Sequence, residues 1–151
     1  MKNETPDQLF LYAARLLGAR AYPEAALRQK LARRAEPDVV AAVLQRVKQL
    51  GYLDDFQYAE GYARLYAGKW GAAKLRRALL EKGVSREIID EVLAQQAAEQ
   101  NPVEEAVALL MRYPSRHRGE KPRAIRFLTN RGYTFSQALA AWERYLEQTR
   151  S

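Results

Sequence analysis

The chain has 151 residues, about one ordinary domain by length. Its 48% hydrophobic and 28% charged content excludes wholesale disorder. It has no cysteine and a single histidine, His117, which excludes disulfides, thiolate metal sites, a cysteine nucleophile and a histidine-rich metal centre. Lys plus Arg number 25 against 18 Asp plus Glu, a net charge of +7 and a pI near 9.8, so the composition points to an anionic partner: nucleic acid, an acidic protein groove or a membrane surface.

Composition favours helix, with 25 alanines against 15 β-branched residues, and no stretch shows sustained strict alternation. Start and stop signals divide the chain into nine short helices. Thr5 caps the first, with Pro6 at its first position and Gln8 closing a capping box. Pro23 and Pro37 open the second and third. Gly51 stops the third, and Asp54 caps the fourth with Gln57 three residues on. Gly83 stops the fifth, Ser85 caps the sixth, and Asn101-Pro102 starts the seventh with Glu104 in the box position. Pro114 to Pro122, with His117 between Arg116 and Arg118, reads as a loop able to hinge. Gly132 stops the eighth helix, and Thr134 with Gln137 starts the ninth. Each glycine stop precedes an apolar residue (Tyr52, Val84, Tyr133), as a Schellman ending favours. No charge-free apolar run is longer than that from Val39 to Leu44, which is too short to cross a bilayer, and the first residues lack a signal pattern. A soluble, cytoplasmic protein without membrane contact is expected.

The helices repeat. Leu27, Leu31 and Ala35 align with Leu75, Leu79 and Gly83, and Val39-Val40 with Val43-Leu44 aligns with Ile88-Ile89 and Val92-Leu93. A weaker third copy runs through Ala124, Leu128 and Gly132, then Ala138-Leu139 and Trp142. The predicted architecture is all-α: three tandem three-helix repeats, approximately 5–53, 54–100 and 101–150. They form one elongated, curved stack of about nine helices over 1–151. Basic residues gather on the middle helix of each repeat: Arg28, Lys30, Arg33 and Arg34; Lys74, Arg76, Arg77 and Lys82; Lys121, Arg123, Arg126 and Arg131. Equivalent helices in a stack can present one basic stripe.

The string Gly51-Tyr52-Leu53-Asp54-Asp55, followed by Tyr58-Ala59 and Tyr62, resembles the signature of the RecX regulatory proteins. Upstream, Ala14-Arg15-Leu16-Leu17, Arg20, Tyr22, Leu27 and Leu31 are similar to that family's first helices. Downstream, Lys69, Gly71, Leu75, Leu79 and Gly83 match its second repeat. Pro23 stands where a serine is usual, and the third repeat lacks much of the apolar pattern. The resemblance implies an all-helical protein of tandem three-helix repeats that modulates the RecA recombinase, usually as an inhibitor. Such proteins lie in the groove of the RecA–single-stranded DNA filament, where they interfere with ATP hydrolysis, strand exchange and repressor self-cleavage. The implied partners are RecA and single-stranded DNA, with double-stranded DNA as a further candidate. The competing reading from charge alone is a general basic DNA-binding protein using tri-helical units without a recombinase partner.

Each candidate residue has a structural role to set beside a functional one. Gly51, Tyr52, Leu53, Asp54, Asp55, Tyr62, Gly71 and Gly83 read as structural signature positions. Asp54 is a cap, and Asp55 in the first turn favours the helix dipole. The two acids lack a third ligand, so no metal is expected. Tyr58, Tyr62 and Tyr66 form an i, i+4, i+8 stripe that reads as core packing rather than base stacking, and Trp70 and Trp142 read as packing anchors. His117 has no carboxylate or serine partner nearby and reads as a surface residue rather than a catalytic base. Neither GxxxxGK[ST] nor GxGxxG occurs, so no cofactor and no intrinsic ATP hydrolysis are expected. The residues expected to contact the partner are Arg28, Lys30, Arg33, Arg34, Lys74, Arg76, Arg77, Arg123, Arg126 and Arg131. The protein is expected to be a non-enzymatic monomer.

Overall fold

The computed structural model describes residues 3–150, which carry ten helices and no strand. They are α1 (Pro6–Ala19), α2 (Glu24–Ala32), α3 (Pro37–Gln49), α4 (Asp55–Leu65), α5 (Ala72–Glu81), α6 (Arg86–Glu99), α7 (Pro102–Arg112), α8 (Pro114–His117), α9 (Lys121–Asn130) and α10 (Phe135–Thr149). The all-α class is as the sequence predicts.

Local chemistry sets the ends. Thr5 and Thr134 make complete capping boxes with Gln8 and Gln137. Asp54, Ser85 and Asn101 accept from the amides of Gln57, Ile88 and Glu104 at 3.1, 3.3 and 3.2 Å. Gly51, Gly83 and Gly132 hold φ of 78°, 85° and 97°. At each, the next residue's amide reaches back to a carbonyl five residues earlier: Tyr52 to Val47, Val84 to Leu79, and Tyr133 to Leu128. These are the Schellman bonds that three glycine stops lead one to expect.

The described residues form two compact units. One comprises residues 3–61 and 79–90, the other 62–78 and 91–150. In the first, Leu9 and Ala13 of α1, Leu27 and Leu31 of α2, and Val40, Val43, Leu44 and Val47 of α3 interlock with Leu53. These positions recur at three and four residues, so each helix turns one stripe inward. In the second, Ala106, Val107, Leu109 and Leu110 of α7, Ala124 and Leu128 of α9, and Ala138, Ala141 and Trp142 of α10 pack with Tyr133. Each fully buried leucine contributes on the order of 2 kcal/mol of transfer free energy.

The structure corrects three expectations. Pro114–His117 is a short helix, α8, which makes ten helices rather than nine. The turn after it is bonded rather than a loose hinge: the Arg118 amide donates to the Pro114 carbonyl at 2.9 Å and the Glu120 amide to the His117 carbonyl at 2.9 Å. His117 is not a surface residue. Its exposure is 0%, its Nε2 donates to the Leu110 carbonyl at 2.9 Å, and its Nδ1 accepts from the Gly119 amide at 3.0 Å. A buried imidazole needs a partner at each nitrogen, and the backbone supplies both. The tyrosine stripe packs at the edge of the buried interior rather than within it. Tyr58, Tyr62 and Tyr66 are half-buried, and Tyr66 stacks on Trp70, also half-buried, at 3.8 Å and 6°. Trp142, in contrast, is a buried packing anchor as expected.

Candidate interaction surface

The signature segment sits where α3 turns into α4. Gly51 ends α3, the following Tyr52 is exposed, Leu53 is buried in the core, and Asp54 caps α4. Asp55 reaches further than its place in a first helical turn suggests. Its Oδ1 accepts from the Glu24 amide at 2.8 Å and so caps the N-terminus of α2, whose own N-cap, Pro23, makes no side-chain bond. The carboxylate of Glu24 pairs with Arg28 at 2.6 Å and with Lys48 of α3. One short polar cluster therefore ties α2, α3 and α4 together.

Burial pushes the Asp55 carboxyl above its usual range, and the Glu24 charge adds to that, against the opposing hydrogen bond from the Glu24 amide. Burial also raises Glu24, but Lys48 and then Arg28 outweigh it and hold that carboxyl below the usual range. The two act oppositely on acidification. Ionised Asp55 costs stability at neutral pH, and that cost fades as pH falls through its raised value. Glu24 contributes stability above its unfolded value and loses it as pH falls through its lowered one. Asp55→Ala is expected to lower the unfolding free energy by about 1–2 kcal/mol in urea titration, the size of a lost cap. Asp55→Asn keeps an acceptor and should lose less. Equal losses in both variants would show that charge, not capping, is what Asp55 supplies.

Beside this segment lies a cleft of about 380 Å³, lined by the α1–α2 connection including Arg20 and Tyr22, and by Tyr52, Asp54, Gln57 and Tyr58. It is open and mixed in charge. Among the described residues no group of His, Cys, Asp or Glu could hold a metal ion, and no helix is long and apolar enough to cross a membrane.

In the second unit the end of α9 meets the start of α5. The Gly71 amide donates to the Arg131 carbonyl at 2.7 Å, and the Ala73 amide to the Gly132 carbonyl at 3.3 Å. Carbonyls at a helix C-terminus thus satisfy amides at a helix N-terminus, with opposite dipole ends facing. A Cβ on Gly71 would lie 2.5 Å from the carbonyl carbon and oxygen of Gly132. Gly83 makes a comparable approach in the first unit, where a Cβ would lie 2.5 Å from that of Ala25 near the start of α2. Both signature glycines therefore sit at close approaches between helices, Gly71 between α5 and α9 and Gly83 between α5 and α2.

The predicted contact residues divide into three groups. Arg28, Arg34 and Arg123 are held in ion pairs, to Glu24, Glu4 and Glu120 at 2.6, 3.0 and 2.6 Å. Arg34 also lies 3.7 Å from the centre of the Tyr12 ring. Lys30, Lys74 and Arg131 rest on aromatic faces: Tyr22, Trp70, and the pair Tyr113 and Phe127. Arg131 donates in addition to the Lys69 carbonyl at 3.3 Å. Arg33, Arg77 and Arg126 are exposed, with no ion pair to another described residue, and Arg76 is half-buried. Tyr62 joins Tyr66 and Trp70 in an aromatic row capped by Lys74.

Sequence reasoning missed the Asp55 bond to α2 and the burial of His117. It also missed the hydrogen bond of the Tyr133 hydroxyl to Glu105 at 3.4 Å. Pro23 gave the one available signal for the first, since a helix opened by proline without a capping side chain needs a donor's partner from elsewhere.

Comparison with known proteins places the sequence and the fold. Residues 10–46 match the family model described as RecX, first three-helix domain, and residues 54–93 match RecX, second three-helix domain. The chain is 44% identical over 142 residues to a regulatory protein RecX of Thermus thermophilus, covering 94% of this chain and 95% of that protein. It is 36% identical over 135 residues to the regulatory protein RecX of Deinococcus radiodurans, covering 87% of this chain and 65% of that one. The crystal structure of RecX from Lactobacillus salivarius superposes with a TM-score of 0.80 at 17% identity, covering 93% of this chain and 96% of that one, a likeness of fold.

Proposed function

The chain belongs to the RecX family, and from that premise we propose that it is a non-enzymatic regulator of the RecA recombinase. In this reading it binds the RecA–single-stranded DNA filament in its helical groove and inhibits ATP hydrolysis, strand exchange and co-protease activity. The observation that carries the reading is the 44% identity to a regulatory protein RecX over 94% of the chain. The exposed arginines Arg33, Arg77 and Arg126 support it, because each comes from a different repeat and keeps its charge uncommitted to another described residue.

Three repeats, 5–53, 54–100 and 101–150, would each offer a basic middle helix to the filament. Weak contacts to successive RecA protomers then add through effective concentration, so the filament is favoured over free RecA without any strong single contact. Arginine contacts to the filament's DNA would add a salt-sensitive term. ATP hydrolysis stays with RecA, and this chain acts by occupying a surface.

The test is RecA ATPase on single-stranded DNA with this protein added below one copy per RecA. The rate and the filament length are expected to fall. No change at any ratio would remove the proposal. Arg76→Glu with Arg77→Glu is expected to keep the helicity and to raise the half-inhibitory concentration about tenfold, because charge reversal turns attraction into repulsion. Full inhibition by the folded double variant would show that α5 is not a contact helix.

A further inference from the structure

The stretch from the end of α7 through α8 into α9 is strongly basic. Residues 112–126 hold six basic residues, Arg112, Arg116, Arg118, Lys121, Arg123 and Arg126, against one carboxylate, Glu120. Glu120 is committed to Arg123. Arg116, Arg118, Lys121 and Arg126 are exposed, and their side chains make no hydrogen bond or ion pair with another described residue. The segment lies outside both matched three-helix domains.

The backbone that carries Arg116 and Arg118 is tied down by hydrogen bonds. Arg118 takes the left-handed conformation, φ 52°, and its amide is bonded to Pro114. The flanking Gly119 amide is bonded to the buried His117 ring, whose other nitrogen is bonded to Leu110 of α7. A charge cluster held on a fixed turn loses little conformational freedom on binding. Lys121 and Arg123 also occupy the first turn of α9, which contains no acidic residue. Glu120 at the N-cap offsets Arg123, which leaves Lys121 as the cation that opposes the helix dipole there.

The surroundings select the kind of anion. Among the described residues, every exposed large hydrophobic lies outside residues 114–130. Protein interfaces are built around apolar and aromatic centres, whereas contacts to a sugar–phosphate backbone need only hydrogen-bond donors and charge. Guanidinium groups match phosphate with paired N–H donors. We propose that this turn is a nucleic-acid backbone contact in which Arg116, Arg118, Lys121 and Arg126 bind phosphates of a single strand. The assignment deepens the filament reading, on which it rests for the presence of the strand.

The experiment measures fluorescence anisotropy of a labelled oligothymidylate with the full chain across a range of salt. The variant is Arg116→Gln, Arg118→Gln, Lys121→Gln and Arg126→Gln combined. A control removes the same charge elsewhere, with Lys69→Gln, Arg86→Gln, Arg144→Gln and Arg150→Gln combined. All eight side chains are exposed, so both proteins should fold, which circular dichroism checks. The turn variant is expected to bind at least about tenfold more weakly. Its slope of log affinity against log salt should fall by about 3, four single-strand phosphate contacts at about 0.7 each. The control should keep most of both.

Absence of strand binding by the unmodified chain, unchanged binding by the turn variant, or an equal loss in the control would each overturn the site. RecA ATPase on the same proteins separates this inference from the reading beneath it. Lost inhibition with intact strand binding would overturn the site in favour of contact with an acidic RecA face. Lost strand binding in the variant, with no RecA inhibition by the unmodified chain, would uphold the site and remove the filament reading.

Discussion

Gly71→Ala is expected to destabilise the protein by about 3 kcal/mol, near the upper end of what overpacking costs. The added methyl would lie 2.5 Å from the carbonyl carbon and oxygen of Gly132 and 2.7 Å from the Tyr133 nitrogen. All three atoms are backbone, so no side chain can swing aside. Relief requires α9 to withdraw from α5, which breaks the bonds from Gly71 to Arg131 and from Ala73 to Gly132 and strands amides at the start of α5. Gly132→Ala attacks the same crossing from the other side. Its Cβ would meet the Lys74 Cβ and nitrogen at 2.5 Å, at a φ of 97° that an L side chain rarely adopts. Urea unfolding followed by circular dichroism measures both. For a chain of this size, 3 kcal/mol corresponds to roughly 10 °C in Tm. A Gly71→Ala protein within about 0.5 kcal/mol of the parent, the range of an ordinary surface change, would show that the crossing is not as tight as described. The double variant should fall well short of the sum of the singles, because one separation relieves both clashes.

His117→Ala should cost about 3–4 kcal/mol, combining a cavity with two stranded backbone groups. The ring is fully enclosed and lies edge-on to Trp142 and Tyr145, with centroids at 6.1 and 5.1 Å. Because the Leu110 carbonyl can only accept and the Gly119 amide can only donate, the bonded ring carries its hydrogen on Nε2. Alanine leaves both backbone groups without partners, next to a space the size of an imidazole. The loss should appear as a lower urea midpoint with an unchanged slope, and as faster hydrogen exchange at Gly119. Retention of the Gly119 protection in the variant would contradict a role for His117 in holding the turn.

These two sites show where sequence reading succeeds and where it stops. Gly71 stood out as a signature position, but its reason lies in Gly132, and nothing in either neighbourhood names the other. His117 sits among prolines, arginines and a glycine, a context that reads as exposed loop. Its burial follows from α8 folding back under α7 and α10, a matter of chain path rather than composition. The basic residues make the same point. Their clustering on middle helices is plain in the sequence, yet ion pairs to Glu4, Glu24 and Glu120 hold three of them, and aromatic faces hold three more.

What the sequence determined by itself was nine of the ten helices, their start and stop signals, and the recurrence of a three-helix unit over residues 10–46 and 54–93. Caps, glycine stops and apolar stripes act within about five residues, over distances that covalent geometry already fixes. The signature string, equally local, named the family. The tertiary structure alone decided that Asp55 caps a helix 31 residues away, that Arg131 donates to a carbonyl 62 residues away, and which of the basic side chains are held in ion pairs or on aromatic faces. Those outcomes depend on which surfaces the folded backbone brings within hydrogen-bond reach, and a carboxylate or a guanidinium carries the same chemistry whether its neighbour turns out to be water, a ring or an opposite charge.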